Sequence, residues 1–195
     1  MRKNIWIRLG ISAIISLLLV SCASKPSGYF DSKKQLALPD SARVKAVVSV
    51  SQEEDAKEKL SAVLFAVPNE KYRLELSGTF GLSAASILWK KDGWKVVLPQ
   101  NGRYMEGTGD CVSIPVYGSV DIHKFATLFL GRRVDGIDCE NRNAFNLEYS
   151  GNAAIVSSGS DSLRLEIKSI DPKAKWGSGV WNLNVPDKYV RLTDY

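Results

Sequence analysis

From Ala42 onward the chain is built of short segments in which apolar and polar residues alternate, and a period of two leaves little room for any fold not made of β-strands. Lys71–Ser77 is the cleanest, with Tyr72, Leu74 and Leu76 on one face and Lys71, Arg73 and Glu75 on the other. Ala42–Val50 sets Val44, Ala46, Val48 and Val50 against Arg43, Lys45 and Ser49, whereas Leu60–Val67 is apolar on both faces. Ala84–Lys90 and Trp94–Leu98 flank Lys91-Asp92-Gly93, and Asp-Gly is a strong hairpin signal. Asn101-Gly102 leads into Arg103–Glu106, and further strands are predicted at Ala144–Tyr149, Ala153–Ser157, Leu163–Ile170, Val180–Val185 and Lys188–Leu192. Roughly nine to eleven strands joined by tight turns favour a curved antiparallel sheet or barrel over an alternating α/β design.

One helix interrupts this pattern. Val120–Leu130 places Ile122, Phe125, Ala126 and Phe129 on a single stripe. Ser119 or Asp121 can cap its start, and Gly131, Arg132 and Arg133 suit its end. A shorter helix is predicted around Phe30–Leu38, before Pro39.

The N-terminus follows a different logic. Arg2, Lys3 and Arg8 precede the apolar run Leu9–Val20, which ends in Ser21-Cys22. This is the layout of a secretory signal, too short to span a bilayer comfortably. Leu19-Val20-Ser21-Cys22 resembles the lipobox of bacterial lipoproteins, which makes Cys22 the expected site of acylation and the first residue of the mature chain. Two or more acyl chains anchor a protein stably where one does not. Ala23, in place of Asp after the cysteine, favours the outer membrane, with the domain facing the periplasm. The organisation expected is a signal peptide at 1–21, a lipidated tether with its short helix at 22–40, and one domain at 41–195.

Without the signal, 23 basic residues face 21 acidic ones, a net charge of +2, and no clustered basic surface recommends a nucleic-acid partner. An exported chain lies in a compartment that permits disulfides. Cys111 and Cys139 are an even pair that either remains as two thiols or closes a loop of about 29 residues, the latter worth roughly 3–4 kcal/mol in the chain-entropy model.

The catalytic inventory is poor. His123 is the only histidine and lies beside the apolar stripe of the helix, where a structural role is expected. Gly107-Thr108-Gly109 has no Gly-Lys-Ser/Thr after it and reads as a turn, and Glu53-Glu54 sit in a polar turn. No catalytic residue, metal ligand or cofactor is expected. The unusual feature is apolar: Gly78-Thr79-Phe80-Gly81-Leu82 joins two strands and carries a large aromatic at its tip. Phe80 either folds back into the core or is presented to a membrane or partner.

Tyr72-Arg73-Leu74-Glu75-Leu76, Phe80-Gly81, the hairpin Trp89–Leu98, Asn101-Gly102-Arg103-Tyr104 and the run Phe125–Gly131 resemble, in order and spacing, the LolB family of outer-membrane lipoprotein receptors. The similarity spans roughly residues 42–133. It implies an incomplete, half-open antiparallel β-barrel with a helical lid, Phe125 and Phe129 of the helix facing an apolar cavity. Val48, Leu74, Leu76, Ile87, Trp89 and Trp94 are the candidate lining residues from the strands. It further implies that Phe80, with Leu82, forms a membrane-insertion loop, and that the partners are acylated lipoproteins or lipids and a LolA-like periplasmic carrier. Thr79-Phe80-Gly81 departs from the family's Pro-Leu-Gly, Gly131-Arg132-Arg133 departs from its Gly-Leu-Pro, and the Cys111/Cys139 pair is not a family feature. Two alternatives keep the same anchor: an accessory envelope lipoprotein that binds a protein partner on its outer face, and a lipid or glycolipid carrier.

Overall fold

A computed structural model describes residues 28–30, 38–52, 56–114, 118–139 and 145–192. Cys22, the signal segment and most of the expected Phe30–Leu38 helix lie outside them.

The alternating segments become strands: β1 (Ala42–Gln52), β2 (Ala56–Val67), β3 (Lys71–Ser77), β4 (Ser83–Lys90), β5 (Gly93–Leu98) and β6 (Arg103–Gly107). A short hairpin, β7 (Cys111–Ile114) and β8 (Gly118–Asp121), precedes α1 (Ile122–Phe129). The chain then forms β9 (Asn146–Ser150), β10 (Ala153–Ser158), β11 (Asp161–Asp171) and β12 (Val190–Arg191). Ten strands make one sheet in the order β12-β6-β5-β4-β3-β2-β1-β11-β10-β9.

This order corrects the half-open barrel expected from the resemblance. The sheet ends in two separate edges, β9 and β12, which do not pair, and β12 runs parallel to β6, so the sheet is open and mixed. Closure needs the edge strands to meet with consistent tilt and stagger. Here β12 is only two residues long and already occupies the outer edge of β6.

Register collects the apolar sets on one face. Val48 of β1 stands between Leu60 and Leu165. Leu74 stands between Leu64 and Ile87, and Trp89 between Tyr72 and Trp94. Against this face α1 buries Ile122, Ala126, Leu128 and Phe129, so helix and sheet share one core. Asp121 starts α1 by accepting hydrogen bonds from the backbone N–H groups of His123 and Lys124. Gly131, at φ +75°, ends it as a left-handed C-terminal residue.

The opposite face is covered in part by the C-terminal chain. Val180–Val185 does not form the expected strand: a 3₁₀ turn (Ser178–Trp181) is followed by an unpaired strap. Arg73 supplies the reason, because its guanidinium donates to the carbonyls of Val180 at 2.9 Å and Asn182 at 2.6 Å. Those carbonyls are satisfied by a side chain rather than by a neighbouring strand. Phe65 meets Trp176 edge-on, and Lys71 lies over the Trp181 ring.

Candidate functional site

The turn between β3 and β4 keeps its aromatic out of the core. Phe80 is 97 % exposed, and Leu82 beside it is 64 % exposed. Phe80 has φ +61°, a left-handed conformation that costs a non-glycine residue about 1–2 kcal/mol. Leaving a phenylalanine in water also forgoes roughly 1.5–3 kcal/mol of burial. The turn is nonetheless well ordered by its backbone: Gly78 N–H donates to Leu82 O at 2.8 Å, and Gly81 N–H donates to Gly78 O at 3.2 Å.

An apolar cavity of about 270 Å³ lies between α1 and the other half of the sheet. Val50, Val156 and Leu163 form its floor, and Phe125, Val120 and Ile137 its roof, with Phe145 at the side. Ser158, Asp161 and Ser162, at the β10–β11 turn, supply its polar border. Strand pairing directs this border and the Phe80 turn toward the same end of the sheet, the turn set back by about four residues. Ser51 of β1 faces both Lys57 and Ser162, and Ser61, midway along β2, faces Ser77 at the end of β3.

The roof is braced from several sides. Val120 bridges to Asp138, Asp121 N–H donates to Ile137 O at 2.7 Å, and Cys139 N–H donates to Ser119 O at 3.0 Å. Cys111 and Cys139 are joined as a disulfide, their Cα atoms 6.1 Å apart, which ties β7 to the segment after α1. His123 adds a further brace. Its Nε2 is 3.2 Å from Asp110, its Nδ1 is 3.4 Å from the Tyr72 hydroxyl, and its ring stands edge-on to Trp89. Burial raises the pKa of that hydroxyl, which accepts a hydrogen bond from Asn69 N–H.

Of the eight side chains expected to line a cavity, Phe125 borders this one. Val48, Leu74, Trp89, Trp94 and Phe129 are buried in the core, with Leu76 and Ile87 packed against it. Those on strands share the face that α1 covers. Sequence reading missed Ile137, which lies outside the periodic segments, Phe145, which falls within the expected Ala144–Tyr149 strand but just before β9, and Asp161, whose position at the border follows from the β10–β11 register.

Among the described residues, no group of three or more His, Cys, Asp or Glu could hold a metal ion, and no helix is long and apolar enough to cross a membrane. No family model and no curated protein matches the chain. Among solved structures, a LolA superfamily protein from Nitrosomonas europaea aligns at 10 % identity with a TM-score of 0.45, covering 74 % of this chain and 91 % of that one. A likeness that remote carries no argument about fold or function.

Proposed function

We propose that the protein is a lipid-anchored envelope protein that shelters acyl chains beneath α1 and helps insert them into the outer membrane through the Phe80 turn. One observation carries this reading: an almost fully exposed aromatic, held in a strained backbone, lies toward the same end of the sheet as the border of an apolar cavity. Strain of this kind persists where the surroundings enforce it and often marks function. The physics needed is transfer without covalent chemistry. Each methylene withdrawn from water gains roughly 0.8 kcal/mol, so an apolar cavity can shield a chain in transit and an aromatic tip can lower its entry into the bilayer. Cys22 would supply the anchor, and an acylated lipoprotein or a lipid would be the cargo.

The test uses the exported domain with Cys22→Ala, titrated with a fluorescent acyl probe and then challenged with a triacylated lipopeptide and with free lipids. Saturable, displaceable binding supports the reading, and absence of binding by the folded domain overturns it. A second reading, an accessory lipoprotein that binds a protein partner, has in its favour the nearly fully exposed Phe80, which such a partner would cover. It expects Phe80→Glu to weaken that complex and leave acyl binding unchanged.

A further inference from the structure

We infer that the cavity takes one acyl chain at a time, and that the Cys111–Cys139 crosslink enforces this limit; the inference rests on the acyl-binding reading above. Capacity comes first. A methylene group occupies somewhat less space than a liquid water at ~30 Å³, so 270 Å³ holds on the order of ten methylenes, one medium chain and not two side by side. The polarity of the walls sets the orientation. Apolar side chains line floor and roof, and the polar groups gather at the β10–β11 turn, where Ser158, Asp161 and Ser162 can meet a headgroup that stays at the border.

The cavity has few ways to widen. Its floor is made of Val50, Val156 and Leu163, all held within the continuous β1-β11-β10 ladder. Its roof is Phe125 on α1, Val120 on β8, and Ile137, whose carbonyl accepts from Asp121 N–H. Lifting the roof far enough for a second chain would separate the 137–139 segment from β8, and the disulfide resists this by holding Cys139 to β7, the partner of β8. The substrate class is therefore a single-chain amphiphile, such as a fatty acid or a lysophospholipid.

The exported Cys22→Ala protein, disulfide intact, is titrated by native mass spectrometry with a medium-chain lysophospholipid, the corresponding diacyl phospholipid and a triacylated lipopeptide. One saturable site for the lysophospholipid is expected, with the two multi-chain ligands at least about tenfold weaker. Reduction, or Cys111→Ser with Cys139→Ser, should narrow that gap. Should the serine pair unfold, Cys111→Ala with Cys139→Val keeps the space filled and reads the same effect. Val156→Phe, which occupies the cavity and leaves the crosslink alone, should abolish lysophospholipid binding in a folded protein. Equal affinity of the oxidised protein for one-chain and two-chain ligands overturns the capacity limit. An undiminished gap in the folded, uncrosslinked protein overturns the role of the disulfide. Failure of all three ligands to bind overturns the acyl-binding reading itself.

Discussion

The Tyr72 hydroxyl lies 3.4 Å from Nδ1 of His123, linking the start of β3 to the first turn of α1 across the apolar core. The same oxygen accepts from Asn69 N–H at 3.0 Å, and the other ring nitrogen of His123 reaches Asp110. The only histidine of the chain thus has a complete structural role, as a strut between sheet, helix and the loop before the disulfide.

That strut gives stability an alkaline limit. Burial raises the pKa values of Tyr72 and Tyr149, so the folded protein holds these protons more tightly than the unfolded chain does. The resulting stability is fully present below the unfolded tyrosine value of about 10 and is lost as pH rises through the higher folded values. Urea midpoints should therefore fall above that pH, and Tyr72→Phe should flatten the decline. At neutral pH the same substitution should cost about 1–2 kcal/mol through its lost hydrogen bonds. An unchanged alkaline slope would remove Tyr72 as its source.

At the Phe80 turn, stability and function should move in opposite directions. Phe80→Gly relieves the left-handed strain and should stabilise the fold by about 1 kcal/mol. Phe80→Glu should stay within roughly 0.5 kcal/mol of the parent, since no buried contact is lost. Both should impair transfer of an acylated cargo into liposomes. Undiminished transfer by the glutamate variant would remove the turn from the mechanism.

The indole of Trp94 fits because Gly107 faces it across β5 and β6. A Cβ on Gly107 would come within 2.6 Å of the ring, so Gly107→Ala should cost about 1–3 kcal/mol by overpacking. Chemical denaturation followed through tryptophan fluorescence measures it. A neutral result would mean that the β5–β6 edge is free to shift.

Arg73 holds the C-terminal strap. Arg73→Met keeps most of the aliphatic stem and removes both hydrogen bonds to the Val180 and Asn182 carbonyls, with an expected loss of about 2–3 kcal/mol. Limited proteolysis should then cut first within 172–186, while the core strands stay protected. Cleavage that begins elsewhere would assign the strap's hold to Trp176 and Trp181 instead.

Much of this architecture is written locally. Alternation in Lys71–Ser77 places Tyr72, Leu74 and Leu76 on one face whatever surrounds them, Lys91-Asp92 turns the β4–β5 hairpin with Gly93 opening β5, and Asp121 and Gly131 bound α1. The glycines around Phe80 mark a turn that holds its aromatic in an uncommon conformation. Other features depend on partners far along the chain. Val180–Val185 alternates like a strand but becomes a strap, because Arg73, more than a hundred residues earlier, takes its carbonyls. β7 and β8, four residues each, are too short to show a period, and they form beside a crosslink to Cys139.

The sequence by itself determined the longer strands, the one described α-helix and the composition of the apolar face, since each follows from the steric and hydrophobic periods of a few adjacent residues. Only the tertiary structure decided that the sheet stays open and that an apolar cavity lies under Phe125, bordered by Ile137 and the β10–β11 turn. Edges and voids belong to no single segment: they arise from which distant strands pair, and from how side chains of different elements fill the space between them.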